Sequence, residues 1–202
     1  MKNLLLLISL SLVKILPAQT AEAVQAAFTK SYILEIGKQY EKAANEIKII
    51  YQNQSYEQNL RLGWLMYEAG KYIDALSYYR NAIKLKPSSI EAKLGIVYPL
   101  SAQNNWDEVF EQYRQVLLID PHNSTANYRS GLIMYNRKKY TEAKLYFQTM
   151  LQLYPFDYDL NHMMGWTYLK LNKKPEAKTY FEKALLYSPN DKSSKEGLAL
   201  SK

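Results

Sequence analysis

Four prolines at a constant interval constrain the fold of this chain more than any other feature. They lie 34 residues apart, at Pro87, Pro121, Pro155 and Pro189. Each follows an apolar run with helical spacing, such as the run over residues 82–86 before Pro87. Proline has no N–H to donate within a helix and holds the preceding residue in extended geometry, so each of these prolines marks the end of a helix.

Small and aromatic residues recur in phase with the prolines. The residues 24 positions before each proline are Gly63, Val97, Gly131 and Gly165. Those 12 positions before are Ala75, Val109, Ala143 and Ala177, and those eight positions before are Tyr79, Tyr113, Phe147 and Phe181. A small residue lets two antiparallel helices approach closely, and an aromatic ring one turn later fills the space towards the next pair. The pattern predicts tandem helix–turn–helix units.

Four such units in phase resemble the tetratricopeptide repeat (TPR) family. The resemblance covers residues 56–89, 90–123, 124–157 and 158–191. A shorter, degenerate unit precedes them at about 24–55, where Tyr40, Ala43 and Ile47 match in phase. The resemblance implies an all-α fold, a right-handed TPR solenoid of about five helix-turn-helix repeats over residues 24–191.

Two local features qualify this expectation. Pro99 falls inside the first helix of unit 90–123, where an interior proline costs about 3 kcal/mol, so we expect a bend or a shortened helix there. After the last unit, residues 192–202 are predicted to form a short capping segment that begins with a capping box, Ser193-Ser-Lys-Glu196.

Residues 1–23 have the layout of a secretory signal peptide. Lys2 supplies a positive start, residues 4–13 form an apolar run, and Ala21-Glu22-Ala23 fits an A-x-A cleavage site. Cleavage after Ala18 fits as well, and an uncleaved anchoring helix is the alternative. The run is shorter than the roughly 20 residues of a membrane span. We therefore expect an exported protein, in the periplasm or secreted.

The composition argues against catalysis. The chain has no Cys and two His, which excludes disulfides, thiolate metal sites and Cys nucleophiles. His122 and His162 have no second His or Cys suitably spaced to form a metal site or a triad. Gly70-Lys71 lacks the spacing of a phosphate-binding loop. We predict no enzymatic activity, no cofactor and no metal.

The resemblance implies that the first helix of each hairpin lines a concave groove. The position just after the family's glycine carries aromatic residues in four units of five, where the family tends to carry a polar residue. Aromatic side chains together with the charged groups of Arg61 and Arg129 are typical of a surface that binds a partner. The alternative is that many of these rings only pack adjacent hairpins. The predicted partner-binding residues are Tyr32, Arg61, Trp64, Tyr67, Tyr98, Tyr128, Arg129, Tyr135 and Trp166.

The main hypothesis is a scaffold or adaptor that binds a protein or peptide within a bacterial cell-envelope assembly. A glycan-handling envelope protein, for polysaccharide binding or export, is the alternative, because Tyr and Trp faces also stack on sugars. The clamp by which chaperone-tail TPR domains hold a terminal carboxylate is missing, since only Arg129 could serve in it.

Charge is concentrated in the C-terminal part of the chain. Residues 124–202 carry a net charge of +6, and Lys138-Lys139 and Lys173-Lys174 occupy equivalent turns. This rim is either a solvated edge or a contact for anionic lipid headgroups, acidic polysaccharide or an acidic partner, so a peripheral membrane contact stays open. The export signal argues against a nucleic-acid partner.

Overall fold

The computed structural model describes residues 20–202, and in that range it contains eleven α-helices and no strand. The apolar run of the predicted signal peptide lies outside the described residues. None of the helices in this range is long and apolar enough to cross a bilayer. The helices are α1 Ala21–Ile36, α2 Tyr40–Ile49, α3 Tyr56–Glu68, α4 Tyr72–Leu85, α5 Ile90–Ala102, α6 Trp106–Ile119, α7 Ser124–Asn136, α8 Tyr140–Leu153, α9 Tyr158–Lys170, α10 Lys174–Tyr187 and α11 Lys192–Leu200.

Successive helices form hairpins that stack into a solenoid. Helices α1 and α2 pack as the first pair and α9 and α10 as the fifth, and the second helix of each pair packs on the first helix of the next. The prediction of an all-α solenoid is therefore confirmed. The first helices α1, α3, α5, α7, α9 and α11 follow one another along one side of the stack.

A contact between glycine and an aromatic ring lies inside three of the hairpins, those of α3 and α4, α7 and α8, and α9 and α10. A Cβ on Gly131 would lie 2.5 Å from the ring of Phe147, and one on Gly165 would lie 2.7 Å from the ring of Phe181. Both rings are fully buried. The recurrent glycine is thus required because the aromatic ring occupies the space that a side chain would take.

Two further glycines bring neighbouring hairpins together. A Cβ on Gly95 would lie 2.4 Å from the ring of Tyr79, and one on Gly197 would lie 2.2 Å from the ring of Phe181. In both cases the ring belongs to the preceding hairpin. As a result α5 packs directly against α3, and α11 packs directly against α9.

Buried asparagines fix the loops between hairpins. The side chain of Asn127 donates to the carbonyl oxygens of Pro121 and Asn123 at 2.9 and 3.0 Å. Asn161 donates in the same way to Pro155 and Asp157, at 3.1 and 2.7 Å. These asparagines stand where the family favours Trp, and their hydrogen bonds tie the Pro121 and Pro155 carbonyls of the loops to the first turn of the next helix.

The structure contradicts two local expectations, the shortened helix at Pro99 and the predicted cap of the last helix, whereas the bend at Pro99 stays a prediction. Helix α5 is not shortened at Pro99: it has 13 residues, as α3, α7 and α9 have. Pro99 stands three residues before the end of α5, and the last turn is held by buried packing of Leu100. The cap of α11 is Asp191, which accepts from the backbone N–H of Ser194 at 2.5 Å, so Ser193 lies inside the helix.

The glycine–aromatic contact can be tested at Gly165. Alanine favours a helix over glycine by about 1 kcal/mol, yet we expect Gly165→Ala to lower the free energy of unfolding by about 1–3 kcal/mol, because its Cβ overlaps Phe181. Adding Phe181→Leu should recover part of that loss. Urea denaturation followed by circular dichroism measures both. Gly37→Ala, at an exposed helix end, is the control, and an equal loss there would contradict the interpretation.

Candidate binding groove

Three pockets lie along the row of first helices, which we call the inner face. A pocket of about 600 Å³ is bounded by α1, α3 and α5. A second, of about 670 Å³, opens between α5 and α7. A third, of about 380 Å³, lies between α7 and the start of α9. The first two share Leu94 and Tyr98 in their lining, so they are adjacent, and we call the two together the depression.

Two aromatic side chains that line this depression, Trp64 and Tyr98, form a cluster with Tyr67, which packs against both but lines none of the three pockets. The ring centroids of Trp64 and Tyr67 are 5.8 Å apart, those of Trp64 and Tyr98 are 5.9 Å apart, and those of Tyr67 and Tyr98 are 5.4 Å apart. Tyr98 is 51% exposed, whereas the other two rings are half-buried. We call Trp64, Tyr67 and Tyr98 the aromatic cluster. Its preformed rings offer a large amphipathic contact area.

Arg61 belongs to the wall of the depression. Its guanidinium forms an ion pair with Glu35 and donates to Ser31 Oγ at 3.0 and 3.2 Å. It also lies 3.9 Å from the centre of the Tyr32 ring. The Trp64 Nε1 donates to the same Glu35 carboxylate. Arg61 is only 7% exposed, so its charge is neutralised within the fold and joins α1 to α3.

Arg129 has a different environment. It is exposed and lines both the second and the third pocket. Within residues 20–202 it makes no ion pair with a carboxylate. Burial raises the pKa of Tyr113 and of Tyr128, and the positive charge of Arg129 opposes both shifts, as expected for a nearby guanidinium. Of the two arginines predicted as handles, Arg129 is the one whose charge is available.

The other predicted residues pack mainly within the solenoid. The Tyr128 ring lies 6.0 Å from Phe147, and the Tyr135 ring lies 5.3 Å from Tyr140. Trp166 lies 5.3 Å from Phe181 and donates to Ser193 Oγ of α11 at 3.1 Å. All three predicted side chains are half-buried. Neither Tyr135 nor Trp166 lines any of the three pockets.

The C-terminal end of the inner face is occupied by α11. His162 Nδ1 lies 2.9 Å from Ser194 Oγ, and burial lowers the pKa of His162 although Asp191 opposes that shift. Desolvation acts on Asp191 too, but hydrogen bonds from Ser194 outweigh it, and the pKa of Asp191 is lowered. The accessible part of the inner face is therefore formed mainly by α1, α3, α5 and α7.

The structure adds lining residues that the sequence pattern missed. Trp106, at the start of α6, is 47% exposed and lines the second pocket with Leu132 of α7. Trp106 stands on a second helix, whereas the predicted groove positions came from first helices. Glu35 stands at a groove position of the repeat, but its ion pair with Arg61 was not predicted because the two residues are 26 positions apart. Among residues 20–202 no group of three or more His, Asp or Glu could hold a metal ion.

The ion pair of Glu35 with Arg61 gives a stability prediction. We expect Glu35→Gln to lower the free energy of unfolding by about 2–4 kcal/mol, because it leaves the buried guanidinium without its counter-charge. The matched control is Glu41→Gln, which breaks an ion pair with Lys71 in which both side chains are exposed and should cost under about 1 kcal/mol. Urea denaturation measures both, and equal losses would contradict this role of Glu35.

Two segments match a known repeat, and solved structures share the fold. Residues 158–191 and residues 125–157 each match the tetratricopeptide repeat family. The structure titled "Crystal structure of MamA protein" has a TM-score of 0.73 and 17% identity over 84% of this chain and 94% of that one.

Further structures agree. A tetratricopeptide repeat protein from Parabacteroides merdae ATCC 43184 has a TM-score of 0.77 and 18% identity over 90% of this chain and 73% of that one. MamA 41-end from Desulfovibrio magneticus RS-1 has a TM-score of 0.72 and 15% identity over 86% of this chain and 99% of that one. No curated protein matches the sequence. The repeat pattern and the two family matches support a tetratricopeptide repeat superfamily protein, and the solved structures share its fold.

Proposed function

We propose that this chain is an exported, non-enzymatic scaffold that binds a protein or peptide partner along its inner face. The observation that carries the proposal is the pair of adjacent pockets that forms the depression, with Trp64 and Tyr98 of the aromatic cluster in its lining. TPR proteins are in general non-catalytic scaffolds that bind proteins or peptides. A partner that covers Tyr98 would bury an aromatic surface now half in water, and such rings contribute much of the energy of protein interfaces.

The wall of the depression supports binding without a large rearrangement. Arg61 donates hydrogen bonds to both Glu35 and Ser31, which fixes α1 against α3 before any partner binds. Rigid aromatic rings lose little conformational entropy when they are covered. The surface is thus preorganised, as expected for a groove that receives a flexible peptide.

Nothing in the depression favours a sugar over a peptide. Trp64 donates its Nε1 to Glu35 and packs against two tyrosines, while Trp166 packs on Phe181 beneath α11. A tryptophan that stacks on a sugar needs an open indole face, and both of these tryptophans are half-buried. Peptide binding is therefore the function proposed here.

Export rests on the layout of residues 1–23, and the start of α1 favours one cleavage site. Thr20 caps this helix by accepting from the Ala23 N–H at 3.2 Å. Cleavage after Ala18 keeps this cap, whereas cleavage after Ala23 removes it together with the first residues of α1. We propose that the mature chain begins at Gln19 and works in the cell envelope.

The groove is tested by removing one exposed ring. We expect Tyr98→Ala to weaken capture of the native partner at least tenfold, about 1.4 kcal/mol, because it removes the most exposed ring of the aromatic cluster. Cross-linking and pull-down from the native envelope, quantified by mass spectrometry, measures this. The control is Tyr187→Ala, at the end of α10 and 61% exposed. Equal capture by both variants and the wild type would contradict a role for the groove.

Export is tested by the mature N-terminus. Mass spectrometry of the protein purified from its native host should find a chain that begins at Gln19, in the periplasmic or secreted fraction. A chain that begins at Val24 would support export but not the favoured cleavage site. An intact Met1 in the cytoplasmic fraction would contradict both.

A further inference from the structure

The second pocket opens because of one residue position in the repeat. The sixth residue of each full unit faces the preceding hairpin. In unit 90–123 this residue is Gly95, which lets α5 close onto α3. In unit 124–157 it is Arg129, and the backbones of α5 and α7 stay further apart than those of α3 and α5. The space between them is the pocket of about 670 Å³.

The walls of this pocket are mostly apolar. Leu94, Val97 and Tyr98 come from α5, Val109 and Tyr113 from α6, and Leu132 and Ile133 from α7. The volume lies within the range of ordinary ligand pockets and exceeds that of a single aromatic side chain. Water in such a pocket gains few hydrogen bonds, so an apolar group that replaces it is favoured.

Two arginines border the pocket, but only one has an available charge. Arg137 forms an ion pair with Asp107 at 2.6 Å and also donates to the Trp106 carbonyl at 3.3 Å. Arg129 has no carboxylate partner among residues 20–202. An exposed guanidinium at the rim of an apolar pocket is complementary to a carboxylate carried beside an apolar group.

On the α9 side of Arg129 the pocket lining is acidic. The third pocket, which Arg129 also lines, contains Asp157 and Asp159 at the start of α9. A carboxylate on the α5 side of Arg129 avoids these two acidic groups, whereas one on the α9 side would meet them. The acidic group of the ligand therefore belongs on the same side as the apolar pocket.

We propose that the pocket between α5 and α7 takes a large apolar side chain of an extended peptide, and that an adjacent acidic side chain of the same peptide pairs with Arg129. This inference rests on the proposed function and narrows the partner to peptides with that pair of residues. A peptide fits better than a small apolar acid because the pocket is continuous with the aromatic cluster through Leu94 and Tyr98, which gives a path for further chain.

The test selects peptides from a random library that is displayed with both ends joined to the carrier, so that any carboxylate comes from a side chain. Purified residues 19–202 serve as bait. We expect enrichment of a large apolar residue next to Asp or Glu. The best peptide is then made with blocked ends, and its affinity is measured by fluorescence anisotropy.

Matched variants assign the two contacts. Arg129→Gln should lower the affinity for the peptide about tenfold. Replacement of the peptide's acidic residue by its amide should lower the affinity of the wild type by the same factor and leave the affinity of Arg129→Gln unchanged. Thr125→Trp should weaken binding about tenfold by filling the pocket, because Thr125 is exposed at its rim. The controls are Arg114→Gln, on the exposed side of α6, and Ser124→Trp, which borders the third pocket but not the second.

The outcomes separate the two proposals. Selected peptides that bind Arg129→Gln and Thr125→Trp as tightly as the wild type, yet lose affinity for Tyr98→Ala, would overturn this inference and leave the proposed function standing. Enrichment of basic peptides would also overturn it. Failure to enrich any peptide, or binding of a fatty acid in competition with every selected peptide, would overturn the inference. Failure to enrich, together with unchanged partner capture by Tyr98→Ala, would overturn the proposed function as well.

Discussion

The contact of a glycine with a buried aromatic ring is the interaction on which the rest of this structure depends. Phe181 is fully buried because Gly165 of its own hairpin and Gly197 of the next helix both leave room for its ring. The Phe181 ring thus packs α10 against α9 in its own hairpin and also packs this hairpin against α11. A solenoid has no central core, so its stability is the sum of such contacts within and between neighbouring units.

The inner face follows from the same geometry. Because the ring lies beneath the first helices, the residue that faces it from the next unit decides how closely two first helices approach. Where that residue is glycine, the helices close, and where it is larger, a gap opens and the side chain borders it. The sixth residues of the four full units and of α11 are Arg61, Gly95, Arg129, Met163 and Gly197. The two arginines then differ in their surroundings, because Arg61 is buried in an ion pair with Glu35, whereas Arg129 is exposed and forms no ion pair within residues 20–202.

The sequence predicted the fold well because the solenoid is set by local spacing. The 34-residue interval of the prolines and the phase of Tyr79, Phe147 and Phe181 were enough to predict stacked helical hairpins, which the structure confirms. The local errors came from applying single-helix rules to packed helices. Pro99 does not shorten α5 because the last turn is held by burial, and Asp191 caps α11 because it stands one residue outside the helix, where a cap must be.

The groove was less predictable for a physical reason. The position of a residue within its repeat shows which side of a helix the residue is on, but not which side chain lies opposite it in the next unit. The partner of Arg61 is 26 residues away, and Trp106 enters the second pocket from a helix outside the predicted groove. Both facts depend on how far adjacent first helices are spread. The positions where this chain departs from its own repeat therefore shape the proposed groove, and the regular positions pack the helices that carry them.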